Sequence, residues 1–316
     1  MSYPIDPELA PSLESVPTFS LADYKYAREV SESLMSGATK YESASPLAVR
    51  DVTIPGPEGA PEVRVRVYAP EGSPDPLPGL VYIHGGGWIT GNIEAFDNDC
   101  RRIADQARVV VVSVGYRRSP EHRFPAAIED CYAALEWTTK QAGELGTDPT
   151  RLGVGGESAG AGLSACLAIL ARDRGGPALS FQYLGVPVLD DTLAHSSAVQ
   201  FVDTPLLWRD EVQVAWSSYL GELYGTDDVP SHAAAWRATN VTGLPRAYIY
   251  VAEFDPLRDE GLAYAQRLIH AGVHVELRHY PGTFHGAHLF PSAVAHRMVA
   301  DSIESIGRGL HERATR

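Results

Sequence analysis

Ser158 stands in Gly156-Glu157-Ser158-Ala159-Gly160, between an apolar run that reads as a strand, Leu152 to Gly155, and a run of small apolar residues that reads as a helix, Ala161 to Ala171. A strand-to-helix turn this tight holds its central residue in a strained conformation, and glycines flank it because side chains there would collide. The serine oxygen is lifted clear of the sheet, at a helix N-terminus where free N–H groups favour developing negative charge. A serine hydroxyl is a poor nucleophile until a base takes its proton, so the reading requires an acid and then a histidine further along the chain. Asp255 follows the strand pattern Ala247 to Val251, and His285 follows Val273 to Leu277. Glu253 and Asp259 are the competing acids, placed on the strand end and in a helix start; His279 and His288 are the competing bases.

The third element of this chemistry is His84-Gly85-Gly86-Gly87-Trp88, directly after the apolar strand Leu80 to Ile83. Acyl transfer passes through a tetrahedral oxyanion, and backbone N–H groups aimed at that oxygen are worth about 3 kcal/mol each. We assign the hole to the N–H groups of Gly85, Gly86 and Ala159, with Gly87 the next candidate.

Together these residues resemble the bacterial hormone-sensitive-lipase-like carboxylesterases of the α/β-hydrolase fold. The resemblance spans roughly residues 60 to 310 and also rests on Tyr116 to Ala126, Asp255-Pro-Leu-Arg-Asp259 and His285-Gly286. It implies hydrolysis of short to medium acyl esters through a triad of Ser158, His285 and Asp255, without metal or cofactor, beneath a helical cap and often in homodimers. By the same likeness His84 shapes the oxyanion loop, and Glu121 and His122 are structural. The chain departs from the pattern at Glu157, Ala161, Arg118 and Ala287, and the loss of bulk at Ala287 is expected to widen the pocket. Lipase or amidase action and a non-catalytic small-ligand receptor on the same fold remain the competing readings.

Positioning such a site takes alternating strands and helices, and the chain supplies them from about residue 62. Val63 to Tyr68, Val109 to Val112 and Phe181 to Val188 read as further strands; 126 to 142, 261 to 271 and 291 to 308 read as helices. The expected fold is an α/β-hydrolase with a mostly parallel eight-stranded sheet. Two stretches break the alternation, and we expect 1–50 and 190–240 to form a helical cap over a core of 51–189 and 241–316. The aromatics Trp208, Trp216 and Tyr219, with Trp88, are the expected substrate-binding wall.

The net charge of −14 argues against nucleic acid and anionic membrane surfaces as partners, and the small-molecule ester expected as partner is what the resemblance implies. No window is long and apolar enough for a membrane span, and the opening residues lack an export leader. Three cysteines without metal-type spacing fit a reducing compartment, so a cytoplasmic protein is expected.

Overall fold

Short runs of β-branched and aromatic residues form eight strands: β1 (Leu47–Ile54), β2 (Val63–Pro70), β3 (Leu77–Ile83), β4 (Val110–Gly115), β5 (Thr147–Glu157), β6 (Phe181–Gly185), β7 (Arg246–Phe254) and β8 (Val275–Phe284). The computed structural model describes residues 3–14, 16–36 and 39–312. The strands make one sheet in the order β1-β2-β4-β3-β5-β6-β7-β8. β2 pairs antiparallel with β1 and β4, and the other five pairings are parallel, which makes the sheet mostly parallel as expected.

Parallel pairing demands crossovers, and helices fill them. Two helices precede the sheet, α1 (Ala10–Leu13) and α2 (Tyr24–Ser36). Then α3 (Asp97–Ala107) joins β3 to β4, α4 (Ala126–Lys140) and α5 (Ala142–Leu145) join β4 to β5, and α6 (Ala159–Asp173) joins β5 to β6. The stretch between β6 and β7 carries α7 (Ser196–Gln200) and α8 (Arg209–Leu220). Last come α9 (Arg258–His270) and α10 (Ala293–His311). Among the described residues no helix is long and apolar enough to cross a membrane.

Alternation along the buried strands feeds two separate apolar clusters. Val81 and Ile83 of β3 lie on one face with α4, α6 and α9, whereas Leu80 and Tyr82 lie on the other with α3 and α10. The insert joins the first cluster through Val212, Trp216, Tyr219 and Leu220, so Trp216 and Tyr219 bury against the core of the sheet.

Two elements differ from the sequence reading. β1 runs across the boundary expected at residue 50, and α3 was not anticipated. In β1 the apolar phase slips: Leu47 and Val49 reach the second cluster, Val52 and Ile54 the first. That slip spoils the alternation a sequence pattern depends on.

Candidate active site

Ser158 joins β5 to α6 with φ +55° and ψ −118°, a conformation that side-chain-bearing residues rarely adopt. Its N–H donates to the Gly185 carbonyl at 2.8 Å, which ties the turn to the end of β6. A Cβ on Gly160 would stand 1.9 Å from the Ile83 carbonyl oxygen, so the turn passes this close to β3 only because that residue is glycine.

His285, after the end of β8, places Nε2 2.9 Å from Ser158 Oγ and Nδ1 2.8 Å from Asp255 Oδ2. Asp255 is buried, and its other oxygen accepts the Leu257 N–H at 2.9 Å. With Nδ1–H donated to Asp255, Nε2 is left to accept the serine proton. The competing side chains have other partners. Asp259 accepts the Ser197 N–H and pairs with Arg258. Glu253 accepts the Gly282 N–H, His279 lies on β8 opposite Val251, and His288 contacts the Tyr250 hydroxyl.

The loop after β3 is shaped by His84. The buried ring stacks on Tyr116 with centroids 4.2 Å apart, its Nδ1 donates to the Gly85 carbonyl at 2.8 Å, and the Tyr116 hydroxyl donates to the His84 carbonyl. Burial pushes the imidazole down to about 4, so it is neutral at physiological pH. Gly86 has φ +113°, and a Cβ there would lie 2.4 Å from the Thr90 carbonyl oxygen. Arg118, a departure from the family pattern, donates to the Gly91 carbonyl at the base of this loop. Among the described residues the N–H groups of Gly85, Gly86 and Ala159 donate to no backbone carbonyl, which leaves them open to an incoming oxyanion.

A cavity of about 210 Å³ opens over Ser158 and His285. Its floor is the loop Gly85 to Trp88 and the serine turn; its roof is Phe19 and Leu21 from the N-terminal segment with Leu206, Leu207, Val212 and Ala215 from the insert. Glu211 fastens the two roof segments together, its buried carboxylate accepting from Ser20 Oγ at 2.7 Å and the Leu21 N–H at 2.6 Å. Of the six non-glycine residues with positive φ among the described residues, four line this cavity: Trp88, Ser158, Val186 and Leu206. Backbone strain concentrates where surrounding packing can hold it, and functional sites are where it collects.

The expected aromatic wall divides. Trp88 faces the cavity, but Trp216 and Tyr219 stack behind it, at centroid distances of 4.6 and 4.4 Å, and contribute no lining. Trp208 caps α8 and borders a different pocket with Leu13 and Val16. Large flat rings gain most by full burial against each other, which takes them out of the wall. Ala287 is likewise buried away from the cavity, in the cluster with Phe254, so the lost bulk there does not widen the pocket. The aliphatic roof was missed because isolated leucines and valines in irregular segments carry no periodic signal.

Comparison with known proteins bears on the fold and the activity. Residues 80–289 match a family described as having the alpha/beta hydrolase fold. Over 310 residues the chain is 41% identical to carboxylesterase NlhH of Mycobacterium tuberculosis, a match covering 97% of this chain and 94% of that protein. It is 33% identical over 260 residues to an ethyl acetate hydrolase of Pseudomonas putida, covering 81% of this chain and 80% of that one. Among solved structures, a bacterial heroin esterase superposes with a TM-score of 0.94 at 43% identity, over 98% of each chain. The chain belongs to the hormone-sensitive-lipase-like carboxylesterase family of the α/β-hydrolase fold.

Proposed function

We propose that this carboxylic ester hydrolase cleaves short to medium acyl esters of small molecules with Ser158 as nucleophile, His285 as general base and Asp255 as the orienting acid. The reading rests above all on the hydrogen-bonded chain from Ser158 Oγ through His285 to Asp255, at 2.9 and 2.8 Å. Ser158 Oγ attacks the ester carbonyl as its proton passes to His285 Nε2, and Asp255 stabilises the resulting imidazolium. The carbonyl oxygen, now an anion, takes the N–H groups of Gly85, Gly86 and Ala159. His285 then returns the proton to the departing alcohol, leaving an acyl-enzyme; water repeats the sequence and releases the acid.

The segments 1–50 and 190–240 act in this reading as a cap over the core of 51–189 and 241–316, adjusted for β1, which belongs to the sheet from Leu47. Trp88 and the aliphatic roof select the acyl group, and the relative named for ethyl acetate supports short chains. A homodimer and a cytoplasmic location complete the proposal; the three free, buried thiols Cys100, Cys131 and Cys166 suit a reducing compartment. Hydrolysis of p-nitrophenyl esters from acetate to decanoate tests it. A burst of p-nitrophenol, abolished in Ser158→Ala, is the expected result, and an active Ser158→Ala enzyme overturns the assignment. Sedimentation velocity reads the dimer.

A further inference from the structure

Directly beside the nucleophile, the structure buries a third carboxylate that the proposed triad does not use. Glu157 ends β5, one residue before Ser158, and is almost fully buried. Two hydroxyls hold it from neighbouring strands: Tyr183 of β6 donates to Oε1, and Tyr250 of β7 donates to Oε2 at 2.6 Å. On one side Glu157 lines the same cavity as Ser158 and His285, and on the other a second, smaller cavity of about 30 Å³.

Tyr82 of β3 and Asp99 of α3 line the small cavity with it, as do Arg102 and His288. Burial holds Tyr82, Tyr183 and Tyr250 well above the usual phenol range, so all three stay protonated, and Tyr183 and Tyr250 donate to Glu157. Burial likewise raises Asp99. His288 is pushed down to about 4 by burial and is neutral at working pH. Glu157 is raised to about 7 by burial, opposed by the Tyr183 and Tyr250 hydroxyls and then by the charge on His285. It is therefore poised between acid and anion where an esterase operates, and it lines the same cavity as His285, the imidazole hydrogen-bonded to the nucleophile next to it in the chain.

We propose that Glu157 is a positioning residue that gives the His285 imidazolium a second counter-charge beside Asp255, and that it thereby sets the acid limb of the enzyme's pH profile. The inference rests on the triad reading above. No bond to substrate is involved: when Ser158 attacks, its proton moves to His285, and the anion of Glu157 lowers the energy of the cation so formed. The tyrosine pair keeps that anion available by donating to it rather than to water.

The sign follows from the charge. Replacing Glu157 by glutamine removes a negative charge from the neighbourhood of His285, which disfavours the imidazolium both in the resting enzyme and in the transition state. The acid limb of kcat/KM for p-nitrophenyl butyrate is expected to move to lower pH by about half to one unit, while kcat falls about three- to tenfold with little change in KM. Glu157→Asp retains a carboxylate and is expected to stay nearer wild type in limb and kcat. Tyr250→Phe withdraws one donor, disfavours the anion and should move the limb the same way by a smaller amount; it also serves if Glu157→Gln fails to fold. A role in packing alone would make Glu157→Gln and Glu157→Asp equally impaired with the limb unmoved in both and in Tyr250→Phe, and that result overturns the proposal. Ser158→Ala is measured alongside. If it is inactive while the limb stays put, the counter-charge role fails alone; if it is active, the triad itself fails.

Discussion

The floor and the roof of the catalytic cavity are built from different materials. The floor is backbone: the loop after β3 and the turn after β5 run so close to carbonyl oxygens that a Cβ on Gly86 or Gly160 would stand 2.4 or 1.9 Å from one. The roof is side chain: Leu21, Leu206, Val212 and Ala215 come from two segments far apart in sequence, latched by Glu211. Stabilising an oxyanion needs donors placed to within tenths of an ångström, which only a constrained backbone supplies. Choosing among acyl groups needs only volume, which aliphatic side chains supply and exchange without disturbing the chain path.

If that division holds, damage to the floor should remove chemistry and damage to the roof should change preference. Ser158→Ala should cost about 10⁴-fold or more in kcat; a loss under tenfold would break the assignment of chemistry to the floor. Gly86→Ala should lower kcat about a hundredfold with a smaller change in KM, because a displaced N–H is lost mainly in the transition state. Circular dichroism on the same sample checks that the loop, not the whole fold, has changed. Glu211→Ala leaves Ser20 Oγ and the Leu21 N–H without their acceptor, so we expect a loss of about 1–3 kcal/mol in urea unfolding and a broadened chain-length profile. A profile as narrow as wild type would show that the latch does not shape selectivity. Ala215→Leu intrudes into the cavity and should shift preference toward shorter acyl groups by about tenfold, with acetate turnover within about twofold.

The smallest effect concerns how the roof is tethered. Arg28 of α2 bonds both oxygens of Glu121 and the Ser119 and Ile89 carbonyls, and that pairing holds the Glu121 carboxyl down from its ordinary range to about 2. A carboxyl lowered on folding contributes stability above its unfolded value and loses it as pH falls toward about 2. Glu121 is 41% exposed, so the contribution is about 1 kcal/mol or less. The urea midpoint should fall more between pH 6 and pH 3 in wild type than in Arg28→Met, and equal falls would remove this tether from the account.

The same division explains what could be read from residues alone. Ser158, Asp255 and His285 were legible because a strained turn, chain order and loop positions constrain residue types, and the structure brings those three within hydrogen-bonding distance. The glycine run Gly85 to Gly87 stood out because bare backbone has a spelling, and the structure places it along the cavity over Ser158. The roof has none, and the expectation of Trp216 and Tyr219 as wall came from treating large aromatics as binding residues when their gain lies in mutual burial. α3 did carry a signal, Cys100, Ile103, Ala104 and Ala107 at helical spacing, hidden among five charged residues of the same segment. Glu157 stood out only as a departure from pattern. Its tyrosine partners come from strands 26 and 93 residues away, a pairing that no local reading reaches.

The latch itself has a meaning in time. Ser20 and Glu211 meet across 191 positions, so a chain made from its N-terminus holds the first segment unlatched until the insert is synthesised. His285 is made later still. At about 5–20 residues per second, the interval between Glu211 and His285 is on the order of 4–15 s. The order of manufacture therefore runs Ser158, latch, His285: the two roof segments can be joined before His285 to Leu289, which complete the cavity wall, have been made.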